Sequence, residues 1–310
     1  MQLSVVVPCY NEEPVLNETA ERLSALLAGL TAQGKIGAGS AVYFVDDGSR
    51  DGTWALIERL AQQRPCIHGI KLSRNRGHQL ALLAGLMSVE GDAVITVDAD
   101  LQDDLGAIVP MIDAFAAGAD IVYGVRSDRR SDSFLKRWTA ERYYALLAGF
   151  GVEIVFNHAD YRLLSRRAID ALSQYREVNV FLRGLIPQLG FSTSIVHYDR
   201  AKRFAGESKY PVNKMFMLAW DGVTSFSAVP LRLITKLGFV ISLGSLAVGL
   251  WALGVRLFTE RAVPGWASTV APIYFLGGIQ LLSIGIIGEY VAKNYLESKQ
   301  RPRFFIDKRV

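Results

Sequence analysis

Cysteine is nearly absent from this chain. Cys9 and Cys66 are the only two among 310 residues, too few for a disulfide framework or a four-thiolate zinc site. A reducing compartment is the simpler expectation, and neither thiol is assigned chemistry. A basic segment ahead of an apolar N-terminal run is missing as well. Met1 leads straight into a strand-like stretch, which argues against a secretory signal peptide and keeps the bulk of the chain in the cytosol. Strong net charge is also lacking. The formal balance is +4 with a pI near 9.0, a mild basic bias that suits phosphate-bearing substrates, an anionic membrane or nucleic acid.

Charge is missing altogether from two stretches near the C-terminus, Lys236 to Arg256 and Arg261 to Glu289. Each gap is long enough to cross a hydrocarbon core of about 30 Å as a helix. Runs this long, paired and split by a turn containing Pro264, Gly265 and Trp266, predict two transmembrane helices rather than buried core helices. A nucleic-acid-binding protein would leave those spans without purpose. Arg232 and Lys236 precede the first, and Lys293, Lys299, Arg301, Arg303, Lys308 and Arg309 follow the second, whereas the connecting turn has only Arg256 and Arg261 with Glu260. Both termini are therefore expected in the cytoplasm. Residues 211–230, with Met215, Phe216, Met217, Leu218, Trp220 and Phe226 among few charges, suit a juxtamembrane helix lying in the interface.

What is present upstream is the alternation of an α/β protein. Strands are expected at Leu3 to Pro8, Ala41 to Asp46, Ala93 to Asp98 and Asp120 to Tyr123, with a weaker fifth near Ile70. Leu16, Ala20, Leu23, Leu27 and Leu30 recur at spacings of three and four, the buried face of a helix. Ligands bind such sheets at the carboxyl ends of the strands, and acidic residues sit there three times. Asn11-Glu12-Glu13 follows the first strand, Asp46-Asp47-Gly48-Ser49 the second, and Asp98-Ala99-Asp100 the fourth. Alternation along a strand points Asp98 and Asp100 to one side. Two such carboxylates repel unless a hard divalent ion, completed by diphosphate oxygens, neutralises them. Arg126, Arg129, Arg130, Lys136 and Arg137 form a basic stretch further on.

These motifs, with Asn75-Arg76-Gly77-His78, Asp98-Ala99-Asp100-Leu101-Gln102-Asp103, Tyr161-Arg162-Leu163-Leu164-Ser165 and the Arg203 to Tyr210 segment, resemble the inverting glycosyltransferases of the GT-A fold, in their polyprenyl-phosphate branch. The likeness covers nearly the whole chain and is greatest to the bactoprenol glucosyltransferases, less to an aminoarabinose transferase acting on the same lipid, and more distant to dolichol-phosphate mannose synthases. It implies a Rossmann-like GT-A catalytic domain with its acceptor loop over residues 1–210, the interfacial segment 211–230, and a two-helix hairpin with a basic cytoplasmic tail over 231–310. The implied reaction moves a hexose, glucose first, from a nucleoside-diphosphate sugar such as UDP-glucose to undecaprenyl phosphate, with inversion, for envelope glycan modification. Aminoarabinose, mannose or an N-acetylhexosamine is the alternative sugar. The implied setting is the inner membrane, among its lipids, with nucleic acid excluded as a partner and a homo-oligomer left open.

By the same resemblance, Pro8, Tyr10, Glu12 and Asp46, with Asp47 beside them, surround the nucleotide. Asp98 and Asp100 bring Mg²⁺ or Mn²⁺ to its diphosphate, and Gln102 sits by the donor sugar. Arg126, Arg162, Arg203, Ser208 and Lys209 receive the lipid phosphate, for which guanidinium forks and an ammonium are apt. Asp160 is the position often read as a base in that branch. A phosphate monoester has a second pKa of about 6 and is already largely dianionic at neutral pH, so Asp160 is read instead as orienting Arg162 or the acceptor. A processive polysaccharide synthase would carry Gln-x-x-Arg-Trp, but Phe134 stands where the glutamine would precede Arg137 and Trp138. A non-catalytic lipid-binding scaffold of the same fold would have no need of intact Asp98, Asp100 and the Arg203 to Lys209 segment.

Overall fold

The computed structural model describes residues 1–127, 158–178, 180–199, 224, 227–258 and 266–310. Arg203, Ser208, Lys209, the basic residues from Arg129 to Arg137, the turn at 259–265 and nearly all of the expected interfacial segment lie outside them.

Period-two alternation builds the centre. In β1 (Leu3–Cys9), Val5 and Val7 pack into one apolar layer and Val6 into the other, so every residue of the strand is buried, as in a sheet covered on both faces. Around it run α1 (Glu13–Ala32), β2 (Ala41–Asp46), α2 (Thr53–Gln63), β3 (Ile67–Leu72), α3 (His78–Ser88) and β4 (Ala93–Thr96). The expected face of α1 is the one that packs, with Leu16, Ala20 and Leu23 fully buried. Strands β1 to β4 are mutually parallel, with β1 between β2 and β4. The chain reverses its direction of travel across the sheet there, which opens the crevice between the ends of β1 and β4 where ligands bind in such folds.

After α4 (Ile108–Ala116) and β5 (Ile121–Arg126) comes β6 (His158–Ser165), which inserts antiparallel between β4 and β5. It is followed by α5 (Arg166–Ser173), α6 (Leu182–Gln188) and β7 (Thr193–Tyr198), the last parallel to β5. The two long helices are α7 (Val229–Phe258) and α8 (Trp266–Ser298). Leu243, Trp251, Phe275, Leu281 and Ile284 on them are more than half exposed, the reverse of a soluble core helix. Among the described residues one stretch, Phe275–Ser298, is long and apolar enough to cross a membrane. It meets one of the two expected spans. The other falls within α7, several of whose side chains lie outside the described residues.

The C-terminal tail was expected to trail from the hairpin as a basic extension, and its end instead joins the sheet. Strand β8 (Ile306–Arg309) pairs antiparallel with β3, Ile70 opposite Arg309 and Lys71 opposite Lys308. Gly69 and Val310 exchange backbone hydrogen bonds of 2.8 and 3.0 Å. The charges that made this segment look like a free tail belong to an edge strand, where Lys and Arg face water and discourage pairing with other chains.

Candidate active site

The loops after β1 and β2 are laced together. The Asn11 backbone N–H donates to Ser49 Oγ at 2.9 Å, the Arg50 N–H to Asn11 Oδ1 at 2.8 Å, and the Glu12 N–H to Thr53 Oγ1 at 2.9 Å. Pro8 is buried at the strand's end, while Tyr10, just beyond it, is 40% exposed. Asp46 is fully buried. Its Oδ1 accepts from the Ser49 N–H at 3.2 Å, but Oδ2 has no hydrogen-bond partner among the described residues. Burial raises its carboxyl above the ordinary value. An unsatisfied carboxylate oxygen of this kind is costly, and the N–H or O–H of a ligand's base or ribose would relieve it.

Asp47 does different work. Both its oxygens accept backbone N–H groups, from Arg76 at 2.7 Å and Gly77 at 2.8 Å, so it fixes the loop leading to His78. Gly48 permits this approach. Its φ is +68°, and a Cβ there would stand 2.7 Å from the Asn75 nitrogen and 2.8 Å from the Arg74 carbonyl carbon. Gly48→Ala is accordingly expected to lower stability by about 2 kcal/mol or more. Thermal unfolding with and without nucleoside diphosphate measures this, and an unchanged midpoint would mean that the two loops do not depend on each other.

Strand β4 ends at Thr96, two residues sooner than its expected limit at Asp98. Asp98 and Asp100 therefore lie in a turn, and the turn, not strand alternation, brings them together. Asp100 Oδ1 accepts from the Gln102 N–H at 3.2 Å, and between them Leu101 takes a left-handed φ of 55°, a conformation costing a non-glycine residue about 1 kcal/mol. Gln102 is buried just beyond. The Asp98 carboxyl is pushed up to about 6, first by desolvation and further by Asp103, Asp160 and Asp100, with His78 opposing. No three His, Cys, Asp or Glu side chains among the described residues form a ready metal cage. A crowded carboxylate pair without a third protein ligand fits a hard divalent ion whose shell is completed by substrate phosphates.

Beside this pair, on β6, Asp160 is the hub of a buried ionic cluster. Arg162 Nη2 donates to its Oδ1. Arg183, on α6, donates from Nη2 at 2.9 Å and from Nε at 3.2 Å, and Gln79 Nε2 lies at 3.4 Å. His78 Nε2 bridges Asp160 and Asp98 at 3.5 and 3.6 Å. Burial alone would raise Asp160, but His78, Arg183 and Arg162 outweigh it and hold the carboxyl well below the usual range. The Arg162 side chain is 2% exposed, so its guanidinium faces Asp160 beneath the surface, not an open phosphate site, and its Nη1 has no hydrogen-bond partner.

Arg126, the other described residue expected at the acceptor phosphate, is part-exposed at the end of β5. Its Nε donates to Tyr198 Oη at 3.3 Å, and Tyr198 in turn donates to Asp103 Oδ1 at 2.6 Å. Arg183, His78, Asp103 and Tyr198 were given no role from the sequence. His78 stood inside a recognised motif, and Asp103 ended one; Arg183 and Tyr198 sit in segments without any local signal.

The family model described as glycosyl transferase family 2 matches residues 4–173. An uncharacterised glycosyltransferase of Bacillus subtilis, YkoT, is 46% identical over 98% of this chain and 91% of its own. A prophage bactoprenol glucosyl transferase homologue of Escherichia coli is 38% identical over 99% of this chain and 98% of its own, and the bactoprenol glucosyl transferase of Shigella phage SfV is 39% identical over the same shares. With more than half of its length in that model and end-to-end likeness to such relatives, the chain is a glycosyltransferase and belongs to glycosyl transferase family 2.

Proposed function

We propose that this enzyme transfers glucose from UDP-glucose to undecaprenyl phosphate, with inversion, at the cytoplasmic face of the membrane. The observation that carries the reading is the near full-length likeness to two proteins named for bactoprenol glucosyl transfer. Asp46, with its unsatisfied oxygen, Tyr10, Pro8 and Glu12 receive the nucleotide, and Gln102 lies beside its sugar. Asp98 and Asp100 would hold Mg²⁺ or Mn²⁺, which when bound neutralises the diphosphate. A lone pair on the acceptor's phosphate oxygen attacks the anomeric carbon from the face opposite the nucleotide, and the bond to the diphosphate oxygen breaks with its electrons leaving on that oxygen. The acceptor loses one negative charge and the nucleotide gains it, so no proton need move. The low pKa of Asp160 accords with that balance, and its part is to hold Arg162 and Arg183 in place. Arg126, Arg203, Ser208 and Lys209 offset the remaining phosphate charge.

For the membrane arrangement, β1 and β8 lie in one sheet, so the chain that leaves the domain must return to the same side. That favours two crossings, by α7 and α8, with the basic residues flanking them on the cytoplasmic side. Membranes containing the protein are expected to convert undecaprenyl phosphate to a lipid-linked hexose with UDP-glucose, identified by the mass of the lipid. A panel including UDP-N-acetylhexosamines, GDP-mannose and an aminoarabinose donor checks the sugar. Turnover with another donor alone would overturn glucose, and a product formed without the lipid phosphate would overturn the acceptor.

A further inference from the structure

Two loops, residues 73–77 and the described residues 175–178 and 180–181, border a cleft of about 370 Å³ with Asp160 in its wall. Both are bonded to the segment around the end of α8. On one side Arg76 Nη2 donates to the Pro302 carbonyl at 2.9 Å and the Ser73 N–H to the Phe305 carbonyl at 3.0 Å. On the other, Arg303 donates to the Tyr175 carbonyl, and Glu297 in the last turn of α8 accepts from the Val178 N–H at 2.8 Å. The cleft thus opens where the long apolar helix ends.

Its lining has two parts. Arg76 and Arg183 bring positive charge, and His78 an imidazole N–H, around the single carboxylate of Asp160, which Arg162 already balances from beneath. Val178, Val180 and Phe181 are apolar and only part-buried. Cations backed by an apolar lip suit an amphiphile whose phosphate is attached to a hydrocarbon chain. A nucleotide base would find better partners at Asp46, away from this cleft. The inner end of the cleft also meets the chemistry, since His78 Nε2 is 3.6 Å from Asp98 and 3.5 Å from Asp160. A phosphate beside His78 would stand next to the carboxylates assigned to the donor's metal. Arg183 has its fork fixed by two bonds to Asp160 and is 33% exposed, which leaves the cluster's charge reachable from the cleft.

We infer that this cleft seats the acceptor, with its phosphate on Arg183 and His78 and its first isoprenyl units against Phe181, Val180 and Val178. The inference rests on the polyprenyl-phosphate reading above and gives that substrate a place among the described residues. The test uses the full-length protein in phospholipid vesicles, with acceptor KM, calorimetric affinity for UDP with Mg²⁺, and inhibition by inorganic phosphate as readouts. Phe181→Ala is expected to raise acceptor KM about tenfold while leaving inorganic phosphate inhibition and UDP affinity within about twofold. Arg183→Gln should weaken lipid and inorganic phosphate alike by about tenfold or more, with Arg183→Lys recovering part of the loss. UDP affinity reports that each variant is folded, and should Arg183→Gln fail to fold, Phe181→Ala alone decides. A wild-type enzyme that glucosylates the lipid, while Phe181→Ala keeps its acceptor KM, would overturn the cleft and leave the function standing. No lipid product from the wild type with any donor would overturn both.

Discussion

Replacing Asp98 or Asp100 with asparagine is expected to reduce transfer by on the order of 10²- to 10³-fold or more, with no change in membrane insertion. Asp100 accepts from the Gln102 N–H and Asp98 lies beside His78, and Asn is nearly isosteric with Asp, so the fold should survive. What is lost is charge. A diphosphate leaving group and a dianionic acceptor must approach within bonding distance, and neutralising them takes more than the neighbouring arginines provide. Chelation of the wild type should reproduce the defect, and Mn²⁺ or Mg²⁺ should reverse it. Calorimetry of UDP binding with and without metal gives a second readout: metal-dependent affinity in the wild type, absent from Asp98→Asn. Full turnover in excess chelator would remove these residues from the role.

Asp160→Asn is expected to be the most damaging substitution for stability, at about 3–5 kcal/mol. Arg162 is 1% exposed, and without the carboxylate its guanidinium is a buried charge facing Arg183, a second one. A residue serving only as a base would lose activity without this loss of stability. The pH dependence separates the two readings further. Because the folded carboxyl lies well below its ordinary value, its contribution to stability is complete above the unfolded pKa of about 3.9 and is lost only as pH falls through the lowered value. Thermal midpoints of the wild type should therefore exceed those of Asp160→Asn throughout pH 8 to pH 5, by a margin that widens as pH falls because Asp160 raises the pKa of His78, and the two should converge only in acid. A margin that collapses between pH 7 and pH 5 would return Asp160 to the role of a titrating base.

The half of the sheet around β1 and β2 was legible in the sequence because its signals are local. Val5 and Val7 alternate within β1 and Val42 and Phe44 within β2, Leu16 to Leu30 repeat at helical spacing, and each acidic motif follows its strand directly. The acceptor half was not. Strand β6 carries Asp160 and Arg162 in its interior, so its pattern lacks the apolar run of a buried strand, and the partner that makes those charges tolerable, Arg183, lies 23 positions away. Asp47, placed beside the nucleotide by resemblance, accepts from Arg76 and Gly77, a pairing that only the folded loops create. In β8, Asp307, Lys308 and Arg309 spell out a solvated tail, and only the open edge of β3 turns them into a strand.

That last strand has a consequence for how the protein is made. Strand β8 completes the edge of a sheet whose other strands all precede α7 and α8, so that edge stays open while the two helices are being made. Until β8 follows, β3 presents an unpaired edge, the kind of surface that recruits strands from other chains. In the membrane arrangement proposed above, insertion of the helices comes before that edge is paired. A nascent chain held beside the membrane by those helices has its missing strand delivered at high local concentration, whereas one that stalls or is cut short exposes the edge for as long as it persists.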